Sequence, residues 1–369
     1  STFRGFVAVS AVSCDYIGAF TTSCLIMSKL ELYKSKSPKE WFTDITTSHQ
    51  DVISKEDFSA FLSSLFTDFD ELSASEKQRA VTLLFETFDC NHDGRIDFSE
   101  FEKLWTQWVQ VILRPKSAFI VVDVQNDFIT GSLSVKNLDE NRDPAGIVPI
   151  INDLVENVPW KLIVYSQDWH PQDHISFFEN KDCRPFHASS KVNAGDAKVF
   201  DTVMFADAVC CTGCIEQTLW PAHCIQDTWG AELHKDLKVR DGALIIRKGT
   251  SPDVDSYSAF WDNDKRSCTI LDKKLKAQEI TDVFVCGLAY DVCVASTASH
   301  AMQLGYRTVI VDDATCGTSA AATEATKSRL VAQHCMVLSS SEVKKLVSGG
   351  MRPLKLGIQL AVAIAAKNK

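Results

Sequence analysis

The spacing of apolar positions divides the chain into two textures. From residue 31 to about 112, apolar side chains recur at helical intervals among charged ones, as in Phe58, Phe61, Leu62 and Leu65, and again in Leu83, Leu84, Phe85 and Phe88. The pattern predicts helices there, including one over 78–88 and one over 98–111. Pro115, in Arg114-Pro115-Lys116-Ser117, cannot continue a helix and marks a boundary. From Ala118 the texture changes to short β-branched runs: AFIVVD from 118, KLIVYS from 161, ALIIRK from 243, DVFVCG from 282, RTVIVD from 307 and CMVLSS from 335. Helical patterns fill the gaps at 145–157, 270–278, 292–304, 319–332 and 341–347. Apolar strands alternating with helices predict a doubly wound, mostly parallel α/β sheet covered on both faces, preceded by an all-α domain.

The expected organisation is therefore a poorly defined segment 1–30, a helical domain 31–113, an α/β domain 114–350 and a tail 351–369. Arg4 ahead of the apolar run Phe6 to Leu30 suggests a leader. Asp15 interrupts that run and no clear cleavage site follows, which favours an untidy tail. The stretch from Leu354 is too short to span a bilayer and reads as a helix or a ragged end.

Composition narrows the function classes. A length of 369 residues suits about two domains, and 45% hydrophobic with 23% charged residues is ordinary for a soluble protein. A net charge of -10 supplies no basic footprint and argues against nucleic acid as a partner, and nothing in the pattern calls for a membrane. Thirteen cysteines form no regular framework, which points to free thiols in a reducing, cytoplasmic compartment. Homo-oligomerisation is left open.

The segment DCNHDGRIDFSE at 89–100 fills every position of the calcium loop D-x-[DN]-x-[DN]-G-x5-E. Its donors are Asp89, Asn91, Asp93, the carbonyl of Arg95, Asp97 and Glu100, with Gly94 at the sharp turn. Such hands come in pairs. The segment TTSHQDVISKED from 46 is a degenerate partner: Thr46, Ser48 and Gln50 stand at donor positions, Asp51 replaces the glycine, and Ile53 matches Ile96. One calcium ion is expected.

In open α/β sheets ligands bind beyond the carboxyl ends of the strands. Asp123, Asp168, Lys248 and the stretch from Gly287 to Cys293 all fall there. A thiol that attacks an amide needs a base, a cation beside it and donors for the oxyanion. Asp123 in VVDVQNDF, Lys248 in RKG and Cys293 in GLAYDVC supply the first two, with Cys293 opening a helix. Taken singly, each has a plainer reading as a cap, a solvated amine or core filler. Asp168 and His170 in SQDWHP, with His223 in LWPAHC, form a second set of one carboxylate and two imidazoles suited to zinc with open positions. His174 and His187 are rival ligands. Cys211 and Cys214 have C-x-x-C spacing but no second pair, so incidental thiols are expected there.

Together these motifs resemble the isochorismatase-like cysteine hydrolases, and within them the nicotinamidases, over about 118 to 340. The string DVDSYSAFWDN from 253 is similar to eukaryotic nicotinamidases, and an N-terminal calcium-hand domain fused to such a hydrolase resembles certain animal members. The resemblance implies an Asp123–Lys248–Cys293 triad, zinc on Asp168, His170 and His223, and hydrolysis of nicotinamide to nicotinic acid and ammonia in NAD salvage. It also implies a cis peptide before Ala289, an oxyanion hole from the N–H groups of Ala289 and Cys293, and a ring-binding wall of Phe128, Trp220 and Tyr257. Val292 stands where some relatives carry an aromatic residue. Two other readings remain: a different amide or carbamoyl hydrolase of the superfamily, or a calcium-dependent interaction protein with the hydrolase as scaffold.

Overall fold

Serine caps set the starts of the first three helices among the described residues. In the computed structural model, which describes residues 36–46, 51–207 and 213–367, α1 (Pro38–Ile45), α2 (Lys55–Leu65) and α3 (Ala74–Phe88) begin behind Ser37, Ser54 and Ser73. Each serine accepts the N–H three residues on, and Glu40, Asp57 or Glu76 accepts in return. Asp97 and Glu100 cap α4 (Phe98–Leu104) in the same reciprocal way. That helix runs through a wider π-helical turn (Trp105–Val109) into α5 (Gln110–Leu113) and stops at Arg114, just before Pro115. Ile53 and Ile96 exchange backbone hydrogen bonds of 2.8 and 3.1 Å, joining the two helix–loop–helix units into one pair. Their aromatic-rich core includes Phe58, Phe61, Phe85, Phe101 and Trp108.

The second region begins at β1 (Ser117–Val122). Two single-turn helices follow, α6 (Asn126–Ile129) and α7 (Val135–Leu138), then α8 (Ile147–Asn157) and β2 (Leu162–Asp168). Next come β3 (Thr202–Ala206), β4 (Cys214–Thr218), β5 (Leu244–Lys248), α9 (Leu271–Ala277) and β6 (Asp282–Leu288). The chain continues through α10 (Ala295–Leu304), β7 (Arg307–Cys316), α11 (Ala320–Ala332), β8 (Met336–Leu338), α12 (Ser340–Val347) and α13 (Leu354–Lys367). Six strands form one sheet in the order β5-β2-β1-β6-β7-β8, parallel at every pairing. These are the six β-branched runs, and the fold is the doubly wound α/β sheet that their alternation with helices predicts.

Alternation of side chains explains the two covered faces. Phe119 and Val121 of β1 join a core with α8 and α12, while Ala118, Ile120 and Val122 point to the opposite core with α9, α10 and α11. Every β1 residue is buried, as befits a central parallel strand. Strand order reverses between β1 and its neighbours β2 and β6, which opens a crevice at their carboxyl ends.

Three features depart from or lie beyond the pattern. β3 and β4 form a separate antiparallel pair that the six β-branched runs do not include. Their residues alternate between buried and exposed, covering a small core with Ile175 and Leu219, and five-residue strands of that kind carry little periodic signal. The end of the chain forms α13, packed on the helical domain through Leu354, Leu360 and Ala361. Segment 1–30, Ser48, Gln50 and Cys211 lie outside the described residues. Among the described residues no helix is long and apolar enough to cross a membrane, and every described cysteine is a free thiol.

Candidate active site

The carboxyl ends of β1, β2 and β5 place three charged side chains in one buried spot. Asp168 and Lys248 are register partners at the ends of β2 and β5. Asp123, one residue past β1, adopts a left-handed φ of 50° and receives the Ser166 hydroxyl at 2.6 Å. The Lys248 ammonium lies 2.9 Å from Asp123 Oδ2, 2.5 Å from Asp168 Oδ1 and 3.4 Å from Cys293 Sγ, and donates to the Ser256 carbonyl at 2.9 Å. Ligand atoms of Asp123, Asp168 and Cys293 all lie within 4.8 Å of one another. A trio of acidic groups that close resembles a cation site, and the cation present is the ammonium of Lys248.

Burial dominates the electrostatics. Asp123 has no exposed surface, and desolvation pushes its carboxyl up to about 6 against the pull of Lys248. The same burial lifts the Cys293 thiol well above its ordinary value, with Lys248 opposing it. Burial would lower Lys248, yet Asp123 and Asp168 outweigh it and keep the amine firmly protonated. Asp168 is also desolvated, but Lys248 and His170 hold it in the carboxylate form. The resting site is a neutral thiol, a permanent cation and a carboxyl poised near neutrality.

Cys293 is the fourth residue of a π-helical turn, Tyr290–Val294, that leads into α10. The helix expected to open at the cysteine thus opens three residues earlier. The N–H groups of Val292 and Val294 both donate to the Ala289 carbonyl at 3.1 Å, and the Leu288–Ala289 peptide is cis.

Beside this cluster, ligand atoms of Asp168, His170 and His223 converge within 4.8 Å. His170 Nδ1 is 2.8 Å from the Gly249 carbonyl, and His223 Nδ1 is 2.8 Å from the Pro221 carbonyl. A carbonyl can only accept, so each Nδ1 carries a proton and each Nε2 is the ring nitrogen left to face a metal. Burial lowers His223 to about 4, which keeps it neutral. Gly249 has a φ of 63°, and a Cβ there would stand 2.3 Å from His170 Cε1, so only glycine admits the ring. Gln125 braces Asp168, donating to its carbonyl at 2.8 Å and accepting its N–H at 2.9 Å. This donor set of one carboxylate and two oriented imidazoles fits zinc.

Of the two rival ligands, His174 stacks on His170 with centroids 4.0 Å apart. Its buried Nε2 has no hydrogen-bond partner among the described residues, and it groups with His170 and Asp255 as a second donor set. His187 instead bonds Ser189 beside β3. Residue patterns did not single out Asp255, Ser166 or Gln125. Only strand register and loop packing bring them to the site.

Cys293 and Asp168 face a small cleft. Phe128, Trp220, Tyr257, Val292, Ala289 and Cys293 line it. Phe128 leans on His223 at 5.5 Å between centroids, and the Trp220 indole donates to the Tyr257 hydroxyl at 3.4 Å. Leu133, Val135 and Leu138 around α7 close the apolar side. The structure thus gathers the three aromatics, Cys293, Asp168 and His223 around one opening, with Asp123, Lys248 and His170 buried behind it.

The acidic loop lies elsewhere, between α3 and α4. Asp89 accepts the N–H groups of Asp93 and Gly94, and Asp93 accepts that of Arg95. Glu100 accepts those of Cys90 and Asn91 while sharing the cap with Asp97, and Gly94 takes a φ of 79°. The oxygen-only donors and the left-handed glycine fit a hard cation such as calcium.

Known proteins share both halves. The Isochorismatase domain family matches residues 117–342, and the EF-hand domain pair matches 39–106. The nicotinamidase of Acinetobacter baylyi is 39% identical over 198 residues, covering 53% of this chain and 79% of that protein. The nicotinamidase of Escherichia coli is 36% identical over 205 residues, covering 54% and 82%. Among solved structures, yeast nicotinamidase bound to the inhibitor nicotinaldehyde superposes with a TM-score of 0.52 at 32% identity, covering 60% of this chain and 99% of that one. The Acinetobacter baumanii nicotinamidase/pyrazinamidase gives a TM-score of 0.51 at 36% identity, covering 62% and 99%. With its site at the carboxyl ends of a parallel sheet and a family match over most of its length, the chain belongs to the isochorismatase family and carries an EF-hand pair ahead of that domain.

Proposed function

We propose that the protein hydrolyses nicotinamide to nicotinic acid and ammonia through a covalent thioester on Cys293, with zinc at Asp168, His170 and His223, as a step of NAD salvage. The family and its nicotinamidase relatives make it an amidohydrolase. One observation carries the finer reading: the Lys248 ammonium touches Asp123, Asp168 and Cys293 at once, beside a small cleft with an aromatic wall.

When bound at that donor set, zinc supplies a Lewis-acidic anchor for the pyridine nitrogen. Phe128, Trp220 and Tyr257 hold the flat ring, and Cys293 lies under the carboxamide. Asp123 accepts the thiol proton. Lys248 stays protonated and offsets the negative charge as the sulfur becomes nucleophilic. Sulfur then bonds to the carboxamide carbon, and the N–H groups of Ala289 and Cys293 receive the oxyanion, each such donor contributing about 3 kcal/mol. Asp123 returns its proton to the departing nitrogen, and ammonia leaves. A water molecule, deprotonated by Asp123, attacks the thioester and restores the thiol as nicotinic acid is released. In the helical domain Asp89, Asn91, Asp93, the Arg95 carbonyl, Asp97 and Glu100 hold one calcium ion.

The test is ammonia release from nicotinamide by the zinc-loaded protein and by Cys293→Ala. Release by the parent and none by the variant is expected. Turnover retained in the variant would sink the covalent scheme, and no release by the parent under any metal condition would sink the substrate.

A further inference from the structure

EF-hand pairs that engage targets take an amphipathic helix into an apolar groove. Here that place is filled from within the chain. Leu354, Leu360 and Ala361 of α13 belong to the same buried core as Phe66, Phe88, Trp105, Trp108 and Leu113 of the helical domain. The contact is close. The Trp108 indole donates to the Gly357 carbonyl at 2.7 Å, and a Cβ on Gly357 would stand 2.4 Å from Phe66 Cζ and 3.1 Å from Trp108 Cζ2. The entry to α13 is stitched down as well. The Leu354 N–H, at the helix start, donates to Asp68 Oδ1 at 2.8 Å, and Arg352 Nε donates to the Leu65 carbonyl at 2.8 Å.

The residues that grip α13 sit on the segments that deliver the calcium donors. Phe88 ends α3 immediately before Asp89, the first donor. Trp108 lies in the helical run that starts at Phe98 and carries Glu100, the last donor. Phe88 and Trp108 pack on each other at 5.7 Å, and Phe66 packs on Trp108 at 5.6 Å. An ion that draws Asp89 and Glu100 together also sets the relation of Phe88 to Trp108, and with it the seat of Gly357.

The other face of α13 belongs to the hydrolase. Gln359 accepts the Thr308 N–H at 2.5 Å and donates to the carbonyls of Thr308 and His334 at 3.2 and 3.1 Å. Nearby, Arg307 pairs with Asp282 inside the protein and reaches the Val111 carbonyl at 3.3 Å. Thr308 and Asp282 lie at the amino ends of β7 and β6, the end of the sheet opposite Cys293.

We propose that the EF-hand pair takes the chain's own C-terminal helix as its target, so that calcium in the 89–100 loop and docking of α13 stabilise each other and clamp the two domains together. This rests on the calcium reading above. By linkage the coupling is reciprocal, typically 5–150-fold in either equilibrium.

The test uses the full-length protein. Amide hydrogen exchange is followed in the loop and over residues 354–367, with calcium and with a calcium chelator. Chelation is expected to speed exchange in both segments, in α13 by roughly 5–150-fold. Loop amides that respond while 354–367 does not would overturn the coupling and leave the calcium site standing. Loop amides that do not respond, with no calcium seen in a titration, would overturn both. In the reverse direction, Gly357→Leu is expected to raise the calcium Kd by a comparable factor, whereas Val362→Ala, at an exposed α13 position, leaves it unchanged. A folded Gly357→Leu protein with the parent's Kd also overturns the coupling. Ammonia release serves as the folding check, since α13 docks far from the cleft.

Discussion

The chain builds two ion-handling regions by opposite means. The 89–100 loop is contiguous, and its middle, from Asn91 to Arg95, is exposed. Its carboxylates are held by N–H groups of the loop itself. The hydrolase cluster draws Asp123, Asp168, Lys248 and Cys293 from four separate stretches and buries all of them. In the first region solvent reaches Asp93 and Asp97, only Asp89 and Glu100 are buried, and local backbone does the positioning. In the second, desolvation is the largest influence on every group, so each charge is tolerable only because its partner is present. The loop should therefore lose its ion without damage to the hydrolase cluster, at the cost of α13 docking alone, whereas the cluster should not lose one member.

Four experiments break or sharpen that contrast, taken from the largest effect down. Cys293→Ala should lower ammonia release by roughly 10⁴-fold or more while leaving calcium affinity at the parent value. A parallel loss of calcium binding, measured by titration, would mean that the regions are not separable. Lys248→Met leaves Asp123 and Asp168 buried without a counter-charge and should destabilise the hydrolase by about 3–5 kcal/mol, read as a lower denaturation midpoint. An unchanged midpoint would show that the carboxylates find other compensation.

Calcium removal should be gentler. At about 100 times the Kd a bound ion stabilises the folded protein by about 2.7 kcal/mol, so chelation should lower Tm by that equivalent. Turnover at 25 °C should stay constant, and a drop in kcat well below the melting range would contradict the separation of the sites. The smallest effect concerns acid. Asp123 must be ionised to accept the thiol proton, and burial raises it to about 6. As pH falls through that value the base is lost, so kcat/KM should decline about tenfold per unit below it and level off above it. A limb centred near 4 in the pH profile would place the base elsewhere.

Legibility followed the same divide. The calcium loop could be read residue by residue because all its donors lie within one turn-forming segment. Asp123, Lys248 and the Asp168–His170 pair stood out because parallel strands end where side chains meet, which turns strand ends into candidates. Ser166 did not stand out, since its bond to Asp123 depends on β2 lying beside β1 in one register. Asp255 sat unremarked in a loop that only packing brings against His170 and His174. The docking of α13 was hidden for another reason. LKLGIQLAVAIAAK is apolar on nearly every side, so it displays no face from which a partner could be inferred.

The sequence by itself determined the two-part organisation, the six parallel strands, the acidic loop and the residue types that an amide-cleaving thiol and a metal require, because these depend on local spacing and chemistry. Tertiary structure alone decided that Lys248 stands between two carboxylates and the thiol, that Gly249 makes room for His170, and that the end of the chain closes the helical domain. Those outcomes rest on distances between segments remote in the chain, and on the desolvation that follows when packing brings them together.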